Sequence, residues 1–219
     1  PKPLLKHLQD KRERSARKTD SPFGGFSAEQ IANSSTLPCL HPRIVFRDIS
    51  RSTDTRTMRV ALLPPKCFLA NTSPYLVPSR GTLDDQAYLL GVLSSIPLDW
   101  YARRFVETHL NFFVLNPFPV PRPLNADPVR RRVIEIAARL ATPDDRFEEW
   151  ASHFKLEPKV QAEDEKCDLI SELDAAVSLL YGLVKKDVVH IFETFHEGWD
   201  YEGRLRAVLE HFRRMRSLA

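Results

Sequence analysis

At 219 residues, with 42% hydrophobic and 28% charged side chains, the chain has apolar material enough for a real core, which excludes a disordered tail. Its formal charge of +3 hides an asymmetry, since residues 1–60 carry 12 Lys/Arg against 6 Asp/Glu and residues 124–219 carry 15 against 19, so an anionic partner is sought on the N-terminal half. Cys39, Cys67 and Cys167 form no C-x-x-C pattern and no run nears the roughly 18 apolar residues of a membrane span, so neither a disulfide framework, a zinc site nor a membrane partner is expected, and a reducing, cytoplasmic setting is.

In chain order, Leu4, Leu5 and Leu8 followed by Lys11, Arg12, Arg14, Arg17 and Lys18 predict a short basic helix, and a polar loop leads away through Gly24 and Gly25. The opening Pro-Lys-Pro fits either removal of an initiator Met or excision from something longer. Ile44–Phe46 and Val60–Leu63 are short β-branched or apolar runs bounded by Pro, Ser, Thr and Asp, which predicts a hairpin with an Arg-rich loop. Cys67–Ala70 reads as a further strand and 71–82 as a Pro/Ser/Gly loop. Asp84 and Asp85 open a helix carrying Leu89, Leu90, Val92 and Leu93, and Pro97 separates it from a second helical piece over 98–106. Leu110–Leu115 reads as a strand, and Pro117, Pro119, Pro121 and Pro123 as an extended connector. Everything beyond Asp127 is helical by period. The expectation is an α+β fold: a mixed part over 1–123 with a small sheet and the Arg-rich hairpin, then a helical supporting or docking part over 124–219.

Catalytic motifs are scarce. No glycines are spaced as a dinucleotide or phosphate loop, and the seven histidines show no H-x-x-x-H pair and read as surface or capping residues. Pro143-Asp144 followed by Asp164-Glu165-Lys166 imitates the PD, D-x-K pattern of magnesium nucleases, although that pattern needs strand ends, whereas Asp144 opens a helix-like stretch and Asp164 lies in a charged run before another helix. Asn116-Pro117-Phe118 approximates the Asn-Pro-Pro-aromatic loop that holds a target amine, with the second proline displaced, and reads as a strand exit.

Nucleic-acid contact has better support. Arg47, Arg51, Arg56 and Arg59 in the hairpin can fork to phosphates or guanine edges, and Ser52, Thr53 and Thr55 are short donors to backbone oxygens. Asn71 and Arg80 in the following loop, and Arg103 and Arg104 beside Trp100 and Tyr101, extend the set. The competing expectation is ion pairing, of Arg47 with Asp48 or Asp54 and of Arg103 or Arg104 with Asp99 or Glu107. Trp100, Tyr101, Phe112 and Phe113 are assigned to the core rather than to base stacking.

The stretch RIVFRDISRSTDTRT (Arg43 to Thr57), ending in ALLPP (Ala61 to Pro65), resembles the C-terminal target-recognition region, of the Taq-type specificity class, of adenine-specific DNA methyltransferases and combined restriction-modification enzymes. Three later blocks agree in order: LLGVLSS with DWYARR (Leu89 to Arg104), FVLNPFPVP (Phe113 to Pro121), and LDAAVSLLYGL with IFETF (Leu173 to Leu183, Ile191 to Phe195). The resemblance implies a DNA-reading arm, with Arg43 to Thr57 as its DNA-facing edge and the 71–82 loop as a second contact. It implies double-stranded DNA and a catalytic methyltransferase domain of the same polypeptide as partners. S-adenosylmethionine is expected in that domain, and no cofactor and no catalytic residue in this chain. The alternatives are a helical protein-interaction module and the nuclease.

Overall fold

The structure is a computed structural model, and it describes residues 2–78, 80–196, 199 and 201–217. The hairpin forms where the two short runs predict it: β1 (Arg43–Phe46) pairs antiparallel with β2 (Val60–Leu63), Arg43 opposite Leu63 and Phe46 opposite Val60. Alternation puts Ile44 and Phe46 on the buried face, both 1% exposed. The far edge of β1 is covered by residues 72–76, which donate and accept across it (Phe46 N to Pro74 O, 3.0 Å; Leu76 N to Ile44 O, 2.9 Å) without forming a full strand. The sheet of an α+β fold is thus small, and helices make up the rest.

Helix α1 (Lys2–Ala16) is the expected basic helix, ending before Arg17 and Lys18, and α2 (Ala28–Ala32) follows under a capping box in which Ser27 and Gln30 satisfy each other's backbone N–H. Helix α3 (Leu83–Ser94) starts at a second capping box, Thr82 with Asp85, and Pro97 sits in the first turn of α4 (Ile96–Ala102), where its missing N–H costs nothing. Three expected elements differ. Cys67–Ala70 is not a strand. Leu110–Leu115 is a loop and the one-turn helix α5 (Phe112–Leu115), because the Asn111 side chain accepts from Val114 N and caps a turn. The piece after Pro97 stops at Ala102 rather than continuing to 106.

The C-terminal half is helical: α6 (Pro128–Leu140), α7 (Glu148–Phe154), α8 (Glu163–Leu180), α9 (Lys185–Glu193) and α10 (Glu202–Arg216). Helices α3, α6 and α8 meet at Gly91, where an added Cβ would lie 2.7 Å from Val133 Cγ1, so only glycine permits the approach. The main core runs from Ile44, Phe46 and Met58 through Val92 and Leu98 to Val133, Trp150 and Leu173, drawing on both sides of residue 123. A second cluster gathers Ile96, Ala175, Phe192, Val208 and Phe212. The proline connector is pinned across this body by two phenols, Tyr88 Oη donating to Pro121 O (2.9 Å) and Tyr181 Oη to Pro119 O (2.6 Å). No helix among the described residues is long and apolar enough to cross a membrane.

Candidate nucleic-acid interface

The arginines expected on one cationic edge divide into two groups, and the fully buried carboxylate of Asp99 on α4 decides the division. Asp99 Oδ1 accepts from the backbone of Thr57 (3.0 Å) and Met58 (2.9 Å), so it caps the return of the hairpin loop. Its other oxygen is bound by Arg56 Nε, whose Nη2 also donates to Ser94 O. Arg103, one turn along α4, completes the pair at 3.9 Å and spends its Nη groups on the loop carbonyls of Ser52 (2.6 Å), Asp54 (2.7 Å) and Thr55 (2.8 Å). Burial lowers the affinity of the Arg103 guanidinium for its proton, and Asp99 offsets this only in part. The guanidinium also lies over the Phe195 ring, 4.1 Å from its centroid. Ion pairing of Arg103 with Asp99 was expected from the one-turn spacing; the capture of Arg56 was not.

Arg43 is also turned inward. It is 3% exposed, its Nη groups donate to Pro38 O and Cys67 O, and it stacks 4.9 Å from the Tyr75 ring. Arg104 remains on the surface, over the Trp100 ring at 4.6 Å. So of the expected DNA-facing arginines, Arg43 turns inward onto the carbonyls of Pro38 and Cys67, and Arg56 and Arg103 hold the loop in shape instead of facing outward, because buried carbonyls and one buried carboxylate need their donors.

What these residues hold is a second group. Arg47 and Arg59 face each other across the hairpin, with Arg47 N donating to Arg59 O (3.0 Å) just beyond the Phe46–Val60 pair. Both are exposed and, by strand parity, both project from the face opposite Ile44 and Phe46. Like charges in directly opposed cross-strand positions repel, which favours an anion between them. Neither guanidinium has an ion-pair partner among the described residues; the nearby acid, Asp48, meets His109 at 3.3 Å. Arg51, Ser52, Thr53 and Thr55 are exposed on the adjoining loop. That loop is rigidly tied: Ser50 Oγ to Thr57 O (2.6 Å), Thr57 Oγ1 to Arg51 O (2.9 Å), and Asp54 N to Arg51 O (3.1 Å). Asn71 joins the same end of the sheet, since its neighbour Thr72 accepts from Asp48 N at 3.0 Å. Asn71 also lines a cavity beside α1, together with Arg80 and Arg43.

Two other expectations change. Phe113 is 88% exposed and Phe112 41%, so neither belongs to the core, although Phe112 meets Phe46 edge-on at 5.3 Å. His211 is buried between Asp168 (2.7 Å) and Arg214 (2.8 Å) rather than on the surface. Of the nuclease-like residues, Asp144 caps a 3-10 turn and pairs with Arg146 at 2.7 Å, and Asp164 stands in the first turn of α8. Lys166 reaches Glu163 at 3.4 Å. Among the described residues no three His, Cys, Asp or Glu side chains are grouped to hold a metal ion. Asn116 ends α5, and Phe118 packs on Tyr101 at 5.5 Å, so this motif is structural packing.

Sequence reasoning missed Asp174 and, although it named Asp99 as a partner of Arg103, the place of Asp99 beneath the hairpin loop. Asp174 is 1% exposed, accepts from Ile96 N (2.9 Å) at the start of α4 and binds Arg204 (2.6 Å), so it fixes the helix that carries Asp99. No protein-family model, no curated protein and no solved structure matches this chain.

Proposed function

We propose that the chain reads double-stranded DNA through the outer face and loop of its hairpin. Arg47 and Arg59 would straddle a phosphate, Arg51 would reach a second phosphate or a base edge, and Ser52, Thr53 and Thr55 would set register. The observation that carries this reading is the opposed, exposed and uncompensated Arg47–Arg59 pair beside a loop whose backbone is already fixed. A fixed loop loses little entropy on binding, so its contacts convert to affinity more fully than those of a mobile one. On the same reading, and following the sequence resemblance, the chain is the recognition arm of an adenine-specific restriction-modification methyltransferase. S-adenosylmethionine and the chemistry would then belong to another domain.

The test is fluorescence anisotropy with a labelled duplex. Arg47→Ala/Arg59→Ala is expected to weaken binding at low salt at least tenfold while the melting temperature stays put. Unchanged affinity in that variant, or no duplex binding by the parent chain, overturns the reading.

A second reading, a protein-interaction module, is favoured by Phe113, an almost fully exposed aromatic side chain on a one-turn helix. It predicts loss of a protein complex on Phe113→Ser with duplex binding absent from the start.

A further inference from the structure

An open cavity of about 1220 Å³ lies between α1, the flank of the hairpin at 68–78 and α5, and its charges do not balance. Its wall is mainly apolar and aromatic, with Leu8, Phe23, Phe68, Leu89 and Phe112 among its residues. Four cations line it, Lys11, Arg12, Arg43 and Arg80, against two carboxylates among the described residues, Asp20 and Asp85. Asp85 is already taken by Arg130 at 2.6 Å and by its helix cap.

Arg12 and Arg43 are the unusual pair. They are 2% and 3% exposed, yet neither has a carboxylate within ion-pair distance among the described residues. Arg12 donates to Ile31 O (2.8 Å), Asn33 O (2.6 Å), Gln9 Oε1 (2.6 Å) and Thr36 Oγ1 (2.9 Å). Arg43 donates to carbonyls alone. Glu13, the acid next to Arg12 in the chain, is bonded to Gln9. Carbonyl and amide oxygens satisfy N–H groups but do not neutralise charge, and buried charges are ordinarily paired. Each Nε is buried and has no acceptor. Burial lowers the proton affinity of both guanidiniums, and the charge of Glu13 offsets this only in part at Arg12.

We propose that this cavity binds a small organic anion, a phosphate or carboxylate head on an aromatic body, and that Arg12 and Arg43 supply its counter-charge. The aromatic wall takes the body, and Lys11 and Arg80 at the rim attract the head. Arg47, Arg51 and Arg59 are not among the residues that line it, so this proposal and the DNA reading stand or fall separately.

The probe is 8-anilinonaphthalene-1-sulfonate, titrated into the folded chain, with its uncharged analogue N-phenyl-1-naphthylamine as control. The expected result is one saturable site for the sulfonate, at least tenfold weaker binding of the neutral dye, and displacement by phenyl phosphate or benzoate. The stronger competitor identifies the head. Arg43→Gln is expected to weaken the sulfonate at least tenfold. Because Arg43 also holds Pro38 and Cys67, Lys11→Glu serves as the second variant: it is exposed, its fold is checked by circular dichroism, and a loss of threefold or more is expected. Equal binding of the two dyes, failure of both competitors, or an unchanged sulfonate affinity in folded Lys11→Glu overturns the proposal.

Discussion

Replacing Arg56 with alanine leaves the carboxylate of Asp99 fully buried, with two backbone N–H groups and an arginine 3.9 Å away as its remaining partners. Removing one member of a buried pair costs about 3–5 kcal/mol, and the surviving partners place this variant near the lower figure. Arg51→Ala, in the same loop but exposed, is expected to change stability by no more than about 0.5 kcal/mol. Urea denaturation of the two variants checks this: the Arg56 midpoint falls clearly and the Arg51 midpoint does not. Equal midpoints would mean that Arg56 is not structural. Residue type in a loop does not distinguish these fates, because the deciding partner of Arg56 lies 43 positions away. The Asp99–Arg103 contact was legible because both members share one helical turn. The cationic character of the hairpin was therefore readable from sequence, whereas the selection of Arg47, Arg51 and Arg59 as its outward members was not.

At the scale of elements, the proline connector depends on two neutral phenols. Burial pushes Tyr88 up to about 12 and also raises Tyr181, each donating to a connector carbonyl. A folded-state value above the unfolded one, near 10, means that the stabilisation is complete below about pH 10 and is lost as pH rises toward 12. For Tyr88 the loss is at most about 3 kcal/mol. Melting temperatures measured between pH 9 and 11.5 should fall, and Tyr88→Phe should flatten part of that fall; an equally steep fall in the variant would contradict the account. The connector was readable from its alternating prolines, and the hairpin from its flanking runs. Leu110–Leu115 was not, because its strand propensity yields to a local cap from Asn111, and a short apolar run fits a strand or a helical turn equally.

On the scale of the whole molecule, the change in composition near residue 123 does not separate two cores. Ile44, Phe46 and Met58 share one cluster with Val133, Trp150 and Leu173, and Gly91 lets α3 approach α6 and α8 closely. A shared core couples the two halves, so unfolding is expected as a single transition with coincident near- and far-ultraviolet circular dichroism curves. Two resolved transitions would contradict that. The helical half then acts as the base on which α4 and its Asp99 are set, by way of Asp174, and α4 in turn fixes the hairpin loop.

The proposal that this supported loop presents a cationic face to duplex DNA is tested by the salt dependence of binding. Each phosphate neutralised contributes roughly 0.9 to the slope of log affinity against log salt. The slope for Arg47→Ala/Arg59→Ala is expected to be shallower than that of the parent chain by about 1 to 2, with both proteins equally stable. Identical slopes for the two proteins, or affinity that does not respond to salt at all, would contradict it.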